Sequence, residues 1–266
     1  MPNRSRSLKA AARFFLALIL LSLTGCVWLR LLEIKNQLAD FDVSVRTEVE
    51  DQHFILHFRK PVLLSEDFVY LSKLRPSRTE ALAQGAYRWY LDFRIDPSTN
   101  AEQRRKRISF AMTYDKRNRL SAFDFSPLFM EMAPRAFLEA SIRSLGLGKI
   151  DEEKRQLKVA PEDLPKLAGA LPKSGEITGV LGPPQQEEQE AGLRVLIYHF
   201  VAESLPVDRE YEDRRIAEAR LYFDPKKDEM IGLKGRFAGL KLTIDYRRLV
   251  SPSQDSDALK QRAEKK

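Results

Sequence analysis

The sequence is poor in the residues that carry covalent or metal chemistry. It contains one cysteine, which excludes an intramolecular disulfide, and three histidines, His53, His57 and His199. The motifs of serine hydrolases, zinc peptidases and phosphate-binding loops are absent. His53 and His57 are predicted to lie on one strand, about 13 Å apart and too far from each other to chelate one ion. We expect these two to be solvated and His199 to pack on a sheet, so the sequence predicts no catalysis, no cofactor and no metal site.

The N-terminal residues have the pattern of an exported protein. Residues 1–13 carry four basic residues and no acidic one, and an apolar run follows over residues 14–23. This order, ending in small residues, is typical of a secretory signal. The sequence Leu23-Thr24-Gly25-Cys26 resembles the lipobox of bacterial lipoproteins. The resemblance implies that residues 1–25 are a signal peptide cleaved after Gly25, and that the Cys26 thiol is acylated.

A membrane-spanning anchor is the alternative for this segment. The apolar stretch over residues 14–29 is 16 residues long, which is shorter than the roughly 20 residues that a spanning helix needs. Acyl chains on Cys26 would instead hold the mature chain firmly on a membrane. Val27 and Trp28 follow the cysteine, where an Asp would resemble an inner-membrane retention signal. We therefore expect the periplasmic face of the outer membrane, with the inner membrane as the alternative.

Processing changes what the charge implies. The precursor has a net charge of +7, but four of its 45 basic residues lie in the predicted leader. The mature chain then carries 41 basic and 38 acidic residues, a net charge of +3. A nucleic-acid partner is not indicated by this balance. Hydrophobic residues make up 43% of the chain, which is enough for a packed core.

The remaining sequence predicts a short helix and two similar α+β units. Residues 26–42 form the anchor segment, in which Leu31, Ile34 and Leu38 recur at helical spacing; this helix could pack on the bilayer or on its own domain. Further predicted boundaries are a first unit at 43–148, a linker at 149–172, a second unit at 173–249 and a disordered tail at 250–266. The predicted helices are 65–74, 134–145 and 174–181, and the predicted strands are 43–49, 54–58, 87–94, 108–114, 120–125, 194–200, 216–223, 230–233 and 240–246.

An internal repeat supports the two-unit interpretation. Leu74-Arg-Pro76 precedes Leu181-Gly-Pro183 by 107 residues, and Phe93 precedes Phe200 by the same interval. The order helix, proline, aromatic strand, charged loop, alternating strand, acidic turn and strand occurs in both halves. The predicted fold class is thus α+β, with two similar units that each have helices packed on an antiparallel sheet. The two units could join their sheets or share a layer of helices.

The second unit carries a family resemblance. A helix, Leu181-Gly182-x-Pro184, a strand ending in Tyr198-His-Phe200 and then Arg220-Leu-Tyr-Phe223-Asp224 resemble the BamE (SmpA/OmlA) lipoprotein domain. That family shares its fold with the β-lactamase inhibitor protein, in which the unit occurs twice. The resemblance implies two short helices on a three-stranded antiparallel sheet. It transfers no functional residue to this chain.

Two surface features are candidates for binding. The basic run Arg104, Arg105, Lys106 and Arg107 could contact anionic head groups or lipopolysaccharide phosphates, or could be a solvated loop. The second feature is an aromatic strand, whose alternation places Tyr87, Trp89, Leu91 and Phe93 on one face and Tyr90 on the other. The larger face is either core or, if exposed, a partner site.

These observations favour a non-enzymatic, periplasm-facing lipoprotein. We expect it to act through contacts with another envelope protein, in an assembly or scaffold role. The alternative is a module that binds lipid or envelope glycan, which predicts a groove of several hundred Å³ between sheet and helices. An envelope hydrolase is the least favoured function, because the acidic groups Asp151–Glu153 and Glu187–Glu188 fall in predicted loops, where nothing holds two carboxylates across a cleft.

Overall fold

The computed structural model describes residues 27–96, 105–151, 156–158, 167, 170–238 and 240–250. The predicted leader, Cys26, Arg104 and the predicted tail beyond Val250 lie outside the described residues. Among the helices within these ranges, none has the length and apolar character needed to cross a membrane. The predicted domain boundaries remain predictions.

Short helices and many strands make up the described chain. The helices are α1 (residues 27–39), α2 (Phe41–Ser44), α3 (Ser65–Ser72), α4 (Pro127–Met132), α5 (Arg135–Leu147), α6 (Ser174–Leu181) and α7 (Tyr246–Leu249). The strands are β1 (Val45–Glu50), β2 (His53–Phe58), β3 (Arg78–Ala81), β4 (Tyr87–Ile95), β5 (Arg107–Tyr114), β6 (Leu120–Phe125), β7 (Lys149–Asp151), β8 (Gln156–Lys158), β9 (Gln186–Glu190), β10 (Leu193–Ala202), β11 (Ile216–Asp224), β12 (Glu229–Phe237) and β13 (Leu240–Asp245). Two 3-10 turns cover Ala83–Gly85 and Arg209–Arg215.

One antiparallel sheet runs through both halves of the chain. Its strand order is β1-β2-β6-β5-β4-β10-β11-β12-β13, with β3 paired to β4 and β9 paired to β10. The halves meet where β4 and β10 pair through Phe93–Ile95 and Phe200–Ala202. The other ends of these two long strands pair with their own edge strands, β3 and β9. Each long strand is therefore covered along one edge by two different partners.

The sheet curls strongly around its aromatic core. Phe110 and Phe237 lie on the first and last of five consecutive strands, β5-β4-β10-β11-β12, and in a flat sheet their backbones would lie about 19 Å apart. The two rings are nevertheless 5.7 Å apart. Phe237 also contacts Phe93, Phe129 and Phe200, at ring distances of 5.3, 6.0 and 5.8 Å. The concave face is therefore folded inward around Phe237 as a half-barrel.

The predicted fold class is wrong. The chain does not form two units that each pack helices on a sheet of their own; it is mostly a single curled antiparallel sheet. The physical reason is the β4–β10 pairing, which satisfies the backbone groups of both long strands and merges the two cores. Sequence periodicity reports which face of a strand is buried, but it does not report which strand lies beside it.

Most of the individual elements were predicted, but four strands were missed: the edge strands β3 and β9, and the antiparallel pair β7 and β8, which lies inside the predicted linker and contains Asp151. The predicted helix at 174–181 and the predicted strands at 87–94, 108–114 and 120–125 are confirmed within one residue. β3 and β9 were not predicted, because all their side chains are exposed and show no apolar alternation. Glu187 and Glu188 therefore lie on β9 rather than in the predicted loop.

The N-terminal helix α1 packs on the domain, which is one of the two alternatives predicted for it. Leu38 is buried, and the Gln37 side chain donates a hydrogen bond of 2.9 Å to the carbonyl of Lys60. The end of α1 approaches α5 so closely that a Cβ on Gly146 would lie 2.2 Å from the backbone nitrogen of Ala39. Only glycine fits at this crossing, because the atoms that a Cβ would meet belong to the backbone of α1 and not to a flexible side chain that could move aside.

We expect Gly146→Ala to destabilise the protein by about 1–3 kcal/mol, the usual cost of overpacking. Gly179→Ala is the matched control, since it also lies in a helix and its Cβ would meet nothing within 4 Å. The control should be neutral or stabilise by up to about 1 kcal/mol through helix propensity. Urea unfolding of both variants measures the difference, and equal stabilities would contradict the close approach of α1 to α5.

Candidate functional site

An open groove lies between helix α3 and the start of strand β4. Its volume is about 550 Å³, within the range of pockets that bind small molecules. It is lined by Ser65, Glu66, Val69, Tyr70, Tyr87, Trp89 and Asn118. These residues come from the first two turns of α3, alternate positions of β4 and the turn between β5 and β6, so three separate elements build the groove.

Aromatic rings form one wall of the groove. Tyr87 and Trp89 are half-buried, with their ring centres 5.7 Å apart, and both rings contact the buried ring of Tyr114 at 5.2 Å. Tyr70 projects from α3 and is 56% exposed. Because Tyr114 supports Tyr87 and Trp89 from below, these two rings are held in position before any ligand arrives.

The predicted aromatic face of β4 proves to have two parts. Leu91 and Phe93 are buried in the core, whereas Tyr87 and Trp89 on the same face line the groove. Tyr90 lies on the opposite face, where its hydroxyl donates a hydrogen bond of 2.7 Å to Glu80. Of the two alternatives predicted for this face, the core describes the C-terminal end of β4 and the exposed site describes its N-terminal end.

Polar groups form the other wall. The Asn118 side-chain nitrogen donates to both oxygens of Glu66, at 2.7 and 2.8 Å. The Ser65 hydroxyl donates to the Asn118 side-chain oxygen at 2.9 Å. This network leaves a carboxylate, an amide and a hydroxyl fixed beside the aromatic wall, where they can exchange hydrogen bonds with a ligand.

The turn that carries Asn118 is held by Asp115. One carboxylate oxygen of Asp115 accepts the backbone N–H groups of Arg117 and Arg119 at 2.8 and 3.0 Å, and the other accepts the Arg119 guanidinium. Asn118 has a φ of 67°, a left-handed conformation that asparagine tolerates better than most residues. The turn geometry therefore determines where the Asn118 amide meets Glu66.

The start of α3 is held by a buried carboxylate. Asp67, only 2% exposed, accepts the backbone N–H of Leu64 at 2.9 Å and thereby satisfies a free donor at the helix start. The Arg30 guanidinium of α1 donates to the two oxygens of the same carboxylate at 2.5 and 2.6 Å. A charge-assisted, bidentate ion pair of this kind fixes the relative position of the two side chains and also adds stability. Helices α1 and α3 are thus joined one residue away from Glu66.

Tyr87 stays neutral at physiological pH. Burial raises the pKa of its hydroxyl, and the nearby Glu66 and Asp115 carboxylates raise it further, while a hydrogen bond with Ser65 acts in the opposite direction. The phenol therefore keeps its proton and can serve as a hydrogen-bond donor toward a ligand.

The groove presents groups that can bind a ligand. The Ser65 hydroxyl in it donates a hydrogen bond of 3.3 Å to the Glu66 carboxylate as well as the bond to Asn118. Within the described ranges no cluster of His, Cys, Asp and Glu is arranged to hold a metal ion. What it offers is apolar ring surface with a few directed polar groups, the usual composition of a ligand pocket.

The histidines lie elsewhere, on the convex face of the sheet. A cleft of about 440 Å³ there contains His53 and His57. His53 Nδ1 lies 2.9 Å from Asp124, and His57 Nε2 lies 2.9 Å from Glu48. Each is therefore half-buried beside a carboxylate on a neighbouring strand, and not simply solvated as predicted. His199 is half-buried on β10, with Nδ1 3.9 Å from Glu218.

Two hydroxyls beside this cleft form hydrogen bonds to groups other than the histidines. Thr113 Oγ1 accepts a hydrogen bond from Arg88 at 3.1 Å, and Ser121 Oγ donates to the Thr113 carbonyl at 3.0 Å. Neither bond activates an oxygen as a nucleophile.

The basic run at 104–107 is partly engaged in contacts within the protein. Arg105 is exposed, the Lys106 ammonium donates to the carbonyl of Val180, and Arg107 Nε donates to Glu203 at 3.0 Å. Arg104 lies outside the described residues. Binding of an anionic surface by these residues stays a prediction, with Arg105 the most available of the three described.

Comparison with known proteins adds no candidate for the function. Neither family models, curated proteins nor solved structures gave a match to this chain. The resemblance to the BamE domain and the lipobox therefore rest on the sequence, and both stay predictions.

The Asp115 turn should loosen in acid. Burial acts to raise the pKa of this carboxyl, but the hydrogen bonds from Arg119 and Arg117 outweigh it, and the net pKa is lowered. Its contribution to stability is therefore complete above the ordinary value of 3.8 and is lost as the pH falls through the lower folded value. We expect wild-type unfolding free energy to fall more steeply than that of Asp115→Asn in this range. Parallel pH profiles from urea unfolding would contradict this role.

Proposed function

We propose that the protein is a lipoprotein, held by an acylated Cys26 on the periplasmic face of the outer membrane, and that it acts by binding and not by catalysis. The lipobox sequence supports the anchor, and the composition of the groove supports the binding role. The ligand is a saccharide of the cell envelope, bound in the groove between α3 and β4.

One observation carries the choice of ligand. Three aromatic side chains, Tyr70, Tyr87 and Trp89, share a groove of about 550 Å³ with the hydrogen-bonded Glu66–Asn118 pair. The apolar face of a sugar ring stacks on aromatic rings, while its hydroxyl groups exchange hydrogen bonds with carboxylate and amide groups. The groove presents both kinds of surface side by side.

An acyl chain fits this groove less well than a sugar does. The groove is open to solvent, so a bound chain would keep much of its surface in water and gain little from burial. The chain would also take the Glu66 carboxylate out of water without supplying a positive charge to pair with it, which is costly. The polar wall therefore favours a ligand with hydroxyl groups.

We expect soluble glycan strands of peptidoglycan or the core oligosaccharide of lipopolysaccharide to bind saturably in isothermal titration calorimetry. Trp89→Ala should weaken binding about tenfold or more, which corresponds to about 1.4 kcal/mol. Tyr90→Ala is the matched control, because it removes an aromatic ring from the opposite face of the same strand. No binding of either saccharide, or equal affinities in the two variants, would refute the saccharide site.

A protein partner is the second candidate, and a specific surface favours it. Beyond Tyr70, the Lys73 ammonium lies 4.4 Å from the Tyr70 ring centre and 5.5 Å from that of Tyr211. The exposed Leu205 adjoins them, since its carbonyl accepts the backbone N–H of Arg75 at 2.9 Å. This surface extends the groove with aromatic and aliphatic groups of the kind found in interface cores.

Crosslinking in intact envelopes separates the two candidates. Leu205→Ser should abolish capture of a protein partner, but it should leave saccharide affinity unchanged because Leu205 does not line the groove. Capture that is equal in wild type and variant would argue against the protein surface.

The anchor is tested by mass spectrometry of the protein from a bacterial envelope. We expect a mature N-terminus at Cys26 carrying a thioether-linked diacylglycerol and an amide-linked acyl chain. Cys26→Ser should retain the leader and lose both modifications. An intact leader or a free thiol in the wild-type protein would refute the lipoprotein assignment.

A further inference from the structure

Helix α1 has two apolar faces, and only one of them packs on the protein. The inward face contains Leu31, Ile34 and Leu38, which are buried or half-buried. The outward face contains Trp28, Leu29 and Leu32, which are 52%, 67% and 42% exposed. Positions 28, 29 and 32 share one side of a helix, so these three side chains form one continuous patch, called here the α1 patch.

The position of the α1 patch in the chain suggests what covers it. Trp28 and Leu29 are the second and third residues after Cys26. Acyl chains on that cysteine would bring the patch to the membrane surface and keep it there at a high effective concentration. Tryptophan and leucine on the outward face of a helix are the side chains that enter the boundary between head groups and acyl chains.

The attachment of α1 to the domain makes this contact consequential. The helix is fixed by the Arg30–Asp67 pair, by Gln37 on the Lys60 carbonyl and by its close approach to Gly146. An anchor that ends in such a helix does not behave as a flexible tether. Whatever holds the α1 patch in the bilayer also sets the angle of α3, and with it the groove.

We propose that the α1 patch lies in the membrane interface and orients the domain, so that the groove is held at a defined angle to the bilayer. The acyl chains supply the attachment, while Trp28, Leu29 and Leu32 supply the orientation. The proposal rests on the lipid anchor of the proposed function, but it does not depend on which ligand occupies the groove.

A single introduced cysteine tests the proposal, because acylation removes the only natural thiol of the chain. The Leu29→Cys variant is extracted from the envelope as the lipidated protein and labelled with an environment-sensitive fluorophore. It is then reconstituted in vesicles of phosphatidylethanolamine and phosphatidylglycerol. Val43→Cys is the matched control, since Val43 is 73% exposed and lies in α2, beyond the far end of α1, which is itself about 15 Å from Leu29 along the helix.

We expect the label at position 29 to shift its emission to the blue and to be quenched by nitroxide lipids, and the label at position 43 to show neither effect. Adding Trp28→Ser and Leu32→Ser should return the position 29 label to aqueous emission, while the protein stays on the vesicles.

Aqueous emission from position 29 in protein whose acyl chains are verified by mass would overturn the orientation proposal and leave the anchor standing. Quenching at both positions would also overturn it, because the contact would then not be specific to the α1 patch. An unmodified Cys26 would overturn the anchor and this proposal together.

Discussion

Three residue pairs between β4 and β10 decide the architecture of this protein. Through them Phe93–Ile95 meets Phe200–Ala202, and every strand of the main sheet becomes part of one structure. The pairing also brings Phe93 and Phe200 to the same ring, that of Phe237. Without it each half would expose the edge of a long strand, which is a template for association with other chains.

The curl of the sheet follows from the same contact. Aromatic side chains from β4, β5, β10 and β12 converge on the concave face, and the helices on this side complete the core with Phe129. The Tyr246 hydroxyl, from α7 after the last strand, donates to the carbonyl of Met132 at 2.6 Å. This bond joins the C-terminal end of the sheet to α4. Leu38, near the start of the described chain, and Leu249, near its end, belong to the same hydrophobic core.

One buried carboxylate connects the anchor side of the molecule to the candidate site. Asp67 accepts both the Arg30 guanidinium of α1 and the backbone N–H at the start of α3. A buried charge is tolerated only when it is fully paired, so these contacts form as a set. The segment nearest the proposed lipid attachment and the helix beside the proposed ligand therefore hold a fixed relation.

The sequence by itself determined the local features of this protein. Alternation along β4 and β5 identified their buried faces, and Tyr87 and Trp89 could be named as candidates for a site because they belong to an aromatic strand. Helix α6 was predicted with its exact bounds. These features depend on neighbours within a few residues, which periodicity records directly.

Only the tertiary structure decided which of these pieces lie together. Glu66 and Asn118 are 52 residues apart and come from a helix start and a turn, and no local pattern places one beside the other. β3 and β9 carry no apolar alternation, because they are held by backbone bonds to β4 and β10 and not by burial of their side chains. The joining of both halves into one sheet likewise depends on hydrogen bonds between main chains, which are the same for every sequence. For that reason the residues predicted the strands, and only the folded chain selected their partners.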